Sequence, residues 1–151
     1  MGASWGLGSA SVKLSNGYTV GAIVAVNPAG SPIDPKTCLP YAVSLEMGTE
    51  FNLVAPTAQE CAAFARGRGN GAASWTNTTI AVVATDAPLE DLETERMAVI
   101  ANDGLSRAIK PIHGIGDGDT IFGVATTPPQ FVEANSAQCG AIVIWTRRKG
   151  K

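Results

Sequence analysis

The chain is sparing with charge and with aromatic rings: of 151 residues, 16% are charged and 6% aromatic. Positive charge is not in excess, with 11 Lys and Arg against 13 Asp and Glu, so no broad basic surface points to nucleic acid. The local exception, Arg147-Arg148-Lys149, reads as a solvated terminus. No run approaches the ~20 apolar residues that span a bilayer, so no membrane role is expected. No basic segment leads into an apolar run, so no secretory signal is visible. Cysteine is scarce too. Cys38, Cys61 and Cys139 are odd in number and widely spaced, which gives neither a metal-type pair nor an evident disulfide framework. Cys61 and Cys139 read as small buried hydrophobes, and a reducing, cytoplasmic setting follows. No cofactor and no metal are expected. What remains is a chain 45% hydrophobic, long enough for one compact domain.

Order along the chain is uneven. Gly6-Leu7-Gly8-Ser9-Ala10-Ser11 is small and glycine-rich, but it does not follow a strand and open a helix, so it is no dinucleotide loop. Asn16-Gly17 predicts a hairpin turn between a short run, Ala10 to Leu14, and a strand, Tyr18 to Asn27. Tyr18, Val20, Val24 and Val26 share one face of that strand. Ile23 and Ala25 make the other apolar, which predicts cover on both sides. Pro28 to Thr76 has poor periodicity, with a hint of helix over Ala58 to Phe64. Arg66 and Arg68 lie there, in what reads as a solvated loop.

Thr78 to Thr85 is β-rich and almost wholly apolar. Leu89 to Ile112 predicts a helix opened by Pro88, with Leu92, Val99, Ile100 and Ala108 near a helical spacing. Its acids come first and Arg107 and Lys110 last, as the helix dipole favours. Thr120 to Ala125 is another strand, and the apolar run Ala141 to Trp145 has no assignable partner. Strand, helix, strand in the second half indicates α/β packing.

Chemistry gathers at the Asn77-Thr78 junction. If that peptide bond is cut, Thr78 gains a free α-amine, whose ordinary pKa of roughly 7.7–8 suits it to act as base for its own hydroxyl. The cut can use the same atoms. Thr78 Oγ attacks the Asn77 carbonyl, the acyl group moves from nitrogen to oxygen, and water hydrolyses the ester, given an oxyanion donor near that carbonyl. Asn77-Thr78-Thr79 also fits the N-glycosylation pattern, which loses weight without a secretory signal.

Asn77-Thr78-Thr79-Ile80-Ala81-Val82-Val83-Ala84-Thr85-Asp86-Ala87 resembles the cleavage-site strand of the DmpA aminopeptidase and nylon-oligomer hydrolase family of N-terminal-nucleophile hydrolases. Gly6 to Ser11, Gly17 to Asn27 and the Asp117-Gly118-Asp119-Thr120 stretch resemble its other motifs, in the same order. The resemblance implies an α/β (α+β) fold of the αββα sandwich type and self-cleavage into two subunits that stay together. It divides the chain into an α-subunit-like segment, residues 1–77, and a β-subunit-like segment, residues 78–151, beginning with the nucleophile. It implies hydrolysis of amide bonds in peptides or in nylon-type oligomers, the Asn-Thr-Thr junction being closer to the latter branch. By the same match Thr78 is the nucleophile, Asn27 helps form the oxyanion site, and Asp117 and Asp119 position the nucleophile's surroundings. Asn27 brings a neutral NH₂ donor, and a carboxylate can hold an ammonium.

The match has gaps. Where the family places a catalytic lysine, before the Gly-Leu-Gly motif, this chain reads Ser4-Trp5, and its first lysine is Lys13. The family's N-terminal portion has no counterpart, so the expected sandwich is incomplete, truncated at its N-terminus, and its apolar strand faces need a partner. A homo-oligomer or a complementing subunit follows. Two other functions stay open: a non-catalytic relative serving as an interaction module, and a threonine-nucleophile acyltransferase.

Overall fold

The computed structural model describes residues 6–50, 52–65 and 77–127, and the backbone of 66–67 and 142–146. Its frame is one five-stranded sheet in which the strands lie in chain order. Strand β1 (Gly6–Lys13) and strand β2 (Thr19–Asn27) form an antiparallel hairpin. Its turn holds Gly17 at φ 93, a conformation glycine adopts without steric cost. The edge strand thus begins at Gly6, takes in the glycine-rich opening segment and starts earlier than the Ala10 to Leu14 run. Strand β3 (Thr78–Thr85) runs antiparallel to β2, and strand β4 (Thr120–Ala125) runs parallel to β3. The apolar run near the end finds its partner as strand β5 (Ile142–Thr146), antiparallel to β4.

A parallel pair requires a crossover, and helix α2 (Asp91–Ala108) supplies it. The helix starts later than Pro88 suggests. Glu93 accepts the backbone N–H of Glu90 at 3.0 Å, so the acidic pair sets the first turn and leaves Pro88 outside it. The apolar face read from the sequence also needs correction. Leu92, Val99 and Ile100 are exposed, and the residues turned to the sheet are Thr94, Ala98, Ala101, Leu105 and Ala108. They are mostly small because helix and sheet nearly touch. A Cβ added at Gly123 of β4 would lie 2.7 Å from the Thr94 carbonyl oxygen. Volume, more than apolarity, selects the residues of that face.

Under α2 lies the core of Ala81, Val83, Ala98, Leu105 and Ile121. Towards β2 the cover thins, and Ala22, Val24 and Val26 face Ala101 and Leu105 across an apolar cavity of about 340 Å³. The expectation that β2 is covered on both sides is not met among the described residues. Ile23 on β2 is 46% exposed and Ile80 on β3 is 49% exposed, both on the face turned away from α2. That face also carries Leu7, Val82 and Phe122.

Helix α1 (Ala58–Gly67) outruns the Ala58 to Phe64 hint. Its start is fixed by Glu60, which accepts both the backbone N–H and the hydroxyl of Thr57 at 2.8 Å. Cys61 in α1 is bonded to Cys38, with the Cα atoms 5.5 Å apart. This corrects the reading of three unpaired cysteines, and Cys61 is not a buried hydrophobe. The inference of a reducing compartment loses its premise, since disulfides persist where conditions are oxidising. Cys139, Arg68, the Arg66 side chain and Arg147 to Lys149 lie outside the described residues. No helix among the described residues is long and apolar enough to cross a membrane.

Candidate functional site

The site sits where β3 and β4 begin and β2 ends. Asn27, the last residue of β2, pairs in register with Thr78, the first of β3. Directly opposed strand residues project to one face, so Asn27 and Thr78 share the face turned away from α2. Alternation then sends Thr79 to the opposite face, where it is fully buried. Asn77 bridges to Asp117 in parallel, continuing the β3–β4 register by one further contact. Thr78, Asn27, Asp117 and Asp119 therefore do converge on one end of the sheet.

The carbonyl of Asn77 is held from two sides. Its oxygen accepts the Gly118 backbone N–H at 3.0 Å and the Thr78 hydroxyl at 2.7 Å. Gly118 leaves room for this arrangement, since an added Cβ would lie 3.2 Å from Thr78 Oγ. A fixed N–H aimed at a carbonyl oxygen is the geometry that stabilises negative charge developing on it.

The two aspartates act on backbone and not on the Thr78 side chain. Asp117 accepts the Ala29 N–H on Oδ1 and the Gly114 N–H on Oδ2, each at 2.9 Å. It thereby ties the exit of β2, just past Asn27, to the loop that leads into β4. Asp119 accepts the Thr79 N–H on Oδ1 at 2.9 Å, and its Oδ2 lies 2.7 Å from His113 Nδ1. In the uncut chain Thr78 has no ammonium for a carboxylate to hold, and both aspartates hold groups around it.

His113 escaped the sequence reading. The available signal was its status as the chain's sole histidine, four residues before the Asp-Gly-Asp motif. No cluster of His, Cys, Asp or Glu among the described residues is arranged to hold a metal ion. Ser4 and Trp5, at the place of the family lysine, lie outside the described residues, and Lys13 sits at the far end of β1, paired with Thr19.

A carbonyl held by a backbone N–H, a hydroxyl residue next to it at a strand start and two buried aspartates behind them make up this end of the sheet. The chain belongs to peptidase family S58, the DmpA aminopeptidase family, whose model matches residues 2–144. It is similar to an uncharacterized aminopeptidase of Mycobacterium leprae, 46% identical over 121 residues, which cover 80% of this chain and 32% of the relative. Uncharacterized aminopeptidases of Mycobacterium bovis and Mycobacterium tuberculosis are each 45% identical over 131 residues, covering 83% of this chain and 38% of theirs. The chain thus spans about a third of the length of the relatives it matches.

Proposed function

We propose that the chain forms the self-cleaving centre of an amide-bond hydrolase, with Thr78 as its N-terminal nucleophile and the Asn77–Thr78 bond as the bond cut. The observation that carries this is the Asn77 carbonyl oxygen, held between the Gly118 N–H and the Thr78 hydroxyl. Thr78 Oγ adds to the Asn77 carbonyl carbon, and the oxyanion is met by the Gly118 N–H and the Asn27 amide. Collapse breaks the C–N bond, and the hydroxyl proton ends on the Thr78 nitrogen. Water then hydrolyses the ester, leaving a carboxylate on Asn77 and a free amine on Thr78. That amine serves as base for Oγ when a substrate amide takes the place of Asn77. Segments 1–77 and 78–151 become two subunits, held together by the β2–β3 ladder.

The substrate class is an amide bond in a peptide or a linear amide oligomer. The names of the mycobacterial relatives favour peptides with a free N-terminus. The exposed apolar face of β1, β2 and β3 supports an αββα sandwich completed by a second sheet, from the same protein, another copy or a complementing subunit. The same exposed face, with Ser4 in place of the lysine, favours a second reading, a non-catalytic interaction module.

Intact mass and N-terminal sequencing of the purified protein separate the two. Two fragments, the second starting at Thr78, are expected. An uncut chain in which Thr78→Ala changes no amide hydrolysis refutes the enzyme and leaves the module.

A further inference from the structure

We infer that His113 is a positioning residue for the Thr78 site, acting through Asp119 on the backbone of Thr79. This rests on the self-cleavage reading and adds to it a residue outside the matched motifs.

The Asp119 side chain is 1% exposed and that of His113 is 15% exposed. A carboxylate at such depth needs donors on its oxygens. Thr79 N–H supplies one at 2.9 Å, and His113 Nδ1 lies 2.7 Å from the other oxygen. An ionised carboxylate only accepts, so Asp119 fixes the imidazole with its proton on Nδ1. In return the imidazole fixes the rotation of the carboxylate. His113 has φ 57, in the left-handed region, and this turns the loop so that the ring meets a carboxylate six residues further on.

The consequence reaches Thr78 through a rigid plane. Thr79 N–H and the Thr78 carbonyl belong to one planar peptide. Holding that N–H fixes the backbone on the C-terminal side of Thr78. The Gly118 N–H on the Asn77 oxygen fixes it on the N-terminal side. Thr78 is therefore bracketed by two clamps, and His113 sets one of them. If the ring is lost, Asp119 can rotate, the Thr79 peptide tilts, and the Thr78 hydroxyl moves relative to the carbonyl it attacks.

The test compares His113→Gly with His113→Asn in the purified protein. Both residues accept a positive φ, but only Asn has an N–H to offer Asp119. Two quantities are measured: the rate at which the fragment starting at Thr78 appears, and hydrogen exchange at the Thr79 amide. His113→Gly is expected to slow cleavage at least ~10-fold and to speed Thr79 exchange, with the rest of β3 still protected. His113→Asn is expected to recover the wild-type rate to within about threefold. His113→Ala, which also lacks a donor, must be as slow as His113→Gly, and it provides the comparison if the glycine variant does not fold. A donor-bearing variant no faster than the donorless ones, or a Thr79 amide that does not respond, overturns the inference while the wild type still cuts. An uncut wild type overturns the self-cleavage reading, and this inference with it.

Discussion

The same conservative change, Asp to Asn, should have opposite consequences at the two aspartates. Both are buried, and both accept at each oxygen. An amide keeps one acceptor oxygen and turns the other into an NH₂ donor. At position 117 both partners are backbone N–H groups, of Ala29 and Gly114, and neither can become an acceptor. Asp117→Asn must therefore set a donor against a donor. At position 119 one partner is backbone, Thr79 N–H, but the other is an imidazole nitrogen. An imidazole nitrogen, unlike a backbone N–H, is also able to accept, so Asp119→Asn keeps both bonds where Asp117→Asn does not. The loss of charge is common to the two variants and cancels in their difference. What remains is one unsatisfied buried donor, worth about 1–3 kcal/mol. Melting temperature changes by roughly 2–4 °C per kcal/mol in a chain of this size, so Asp117→Asn should melt about 2–12 °C below Asp119→Asn. Urea denaturation followed by circular dichroism gives the free-energy difference directly. Equal stability, or a less stable Asp119→Asn, refutes the assignment of partners.

Three further outcomes follow from local geometry. Gly123→Ala places a Cβ 2.7 Å from the Thr94 carbonyl oxygen and 3.2 Å from Ala98 Cβ, both on α2. The helix must retreat, at a cost of about 1–3 kcal/mol in urea denaturation, and an unchanged midpoint refutes the close approach. Gly118→Ala places a Cβ 3.2 Å from Thr78 Oγ but 4.0 Å from the Asn77 oxygen. Cleavage should slow ~3–10-fold with stability within about 0.5 kcal/mol, and a wild-type rate refutes the role given to that contact. At α1, hydrogen bonds from the Thr57 backbone N–H, then from its hydroxyl, hold the Glu60 carboxyl below its usual 4.5. A depressed folded-state value stabilises above the unfolded value and is lost as pH falls through the folded one. Amide protection at the start of α1 should therefore fall as pH drops below about 4.5, Glu60→Gln should flatten the response, and protection independent of pH refutes the cap.

Much of the site's frame was legible because strand signals are local. Thr78 to Thr85 and Thr120 to Ala125 are runs of β-branched and apolar residues bounded by turn formers, and the strands have those bounds. Asn16-Gly17 announced its hairpin for the same reason. The buried face of α2 was not legible, because hydrophobic periodicity weighs Leu92, Val99 and Ile100 above Ala98 and Ala101. The close approach at Gly123 is a property of two elements and appears in neither sequence alone. The Cys38–Cys61 bond joins residues 23 apart across a stretch of poor hydrophobic periodicity, where spacing carries no geometric information. Asn27, Asp117 and Asp119 were legible as a group through the motif match, but their partners were not. The aspartates hold N–H groups at Ala29, Gly114 and Thr79, which every residue type but proline offers equally.

The contacts of Thr78 also indicate where sensitivity at this site must lie. Its hydroxyl donates to the oxygen of the carbonyl that it would attack. A hydrogen bond of that kind lies near the carbonyl plane, whereas addition to the carbon comes from above the plane. Passing from one to the other needs rotation about the Thr78 side chain and the loss of one neutral hydrogen bond, about 0.5–1.5 kcal/mol, or roughly a factor of 10 in rate at most. The Gly118 N–H stays on the oxygen throughout, so the carbonyl need not move as charge develops. A shift of the carbonyl or of the Thr79 peptide is far more costly, because misplacement of about 1 Å lowers rates ~100-fold. Cleavage should therefore depend less on the hydroxyl's own resting bond than on the two backbone clamps beside it, Gly118 on one side and Asp119 on the other.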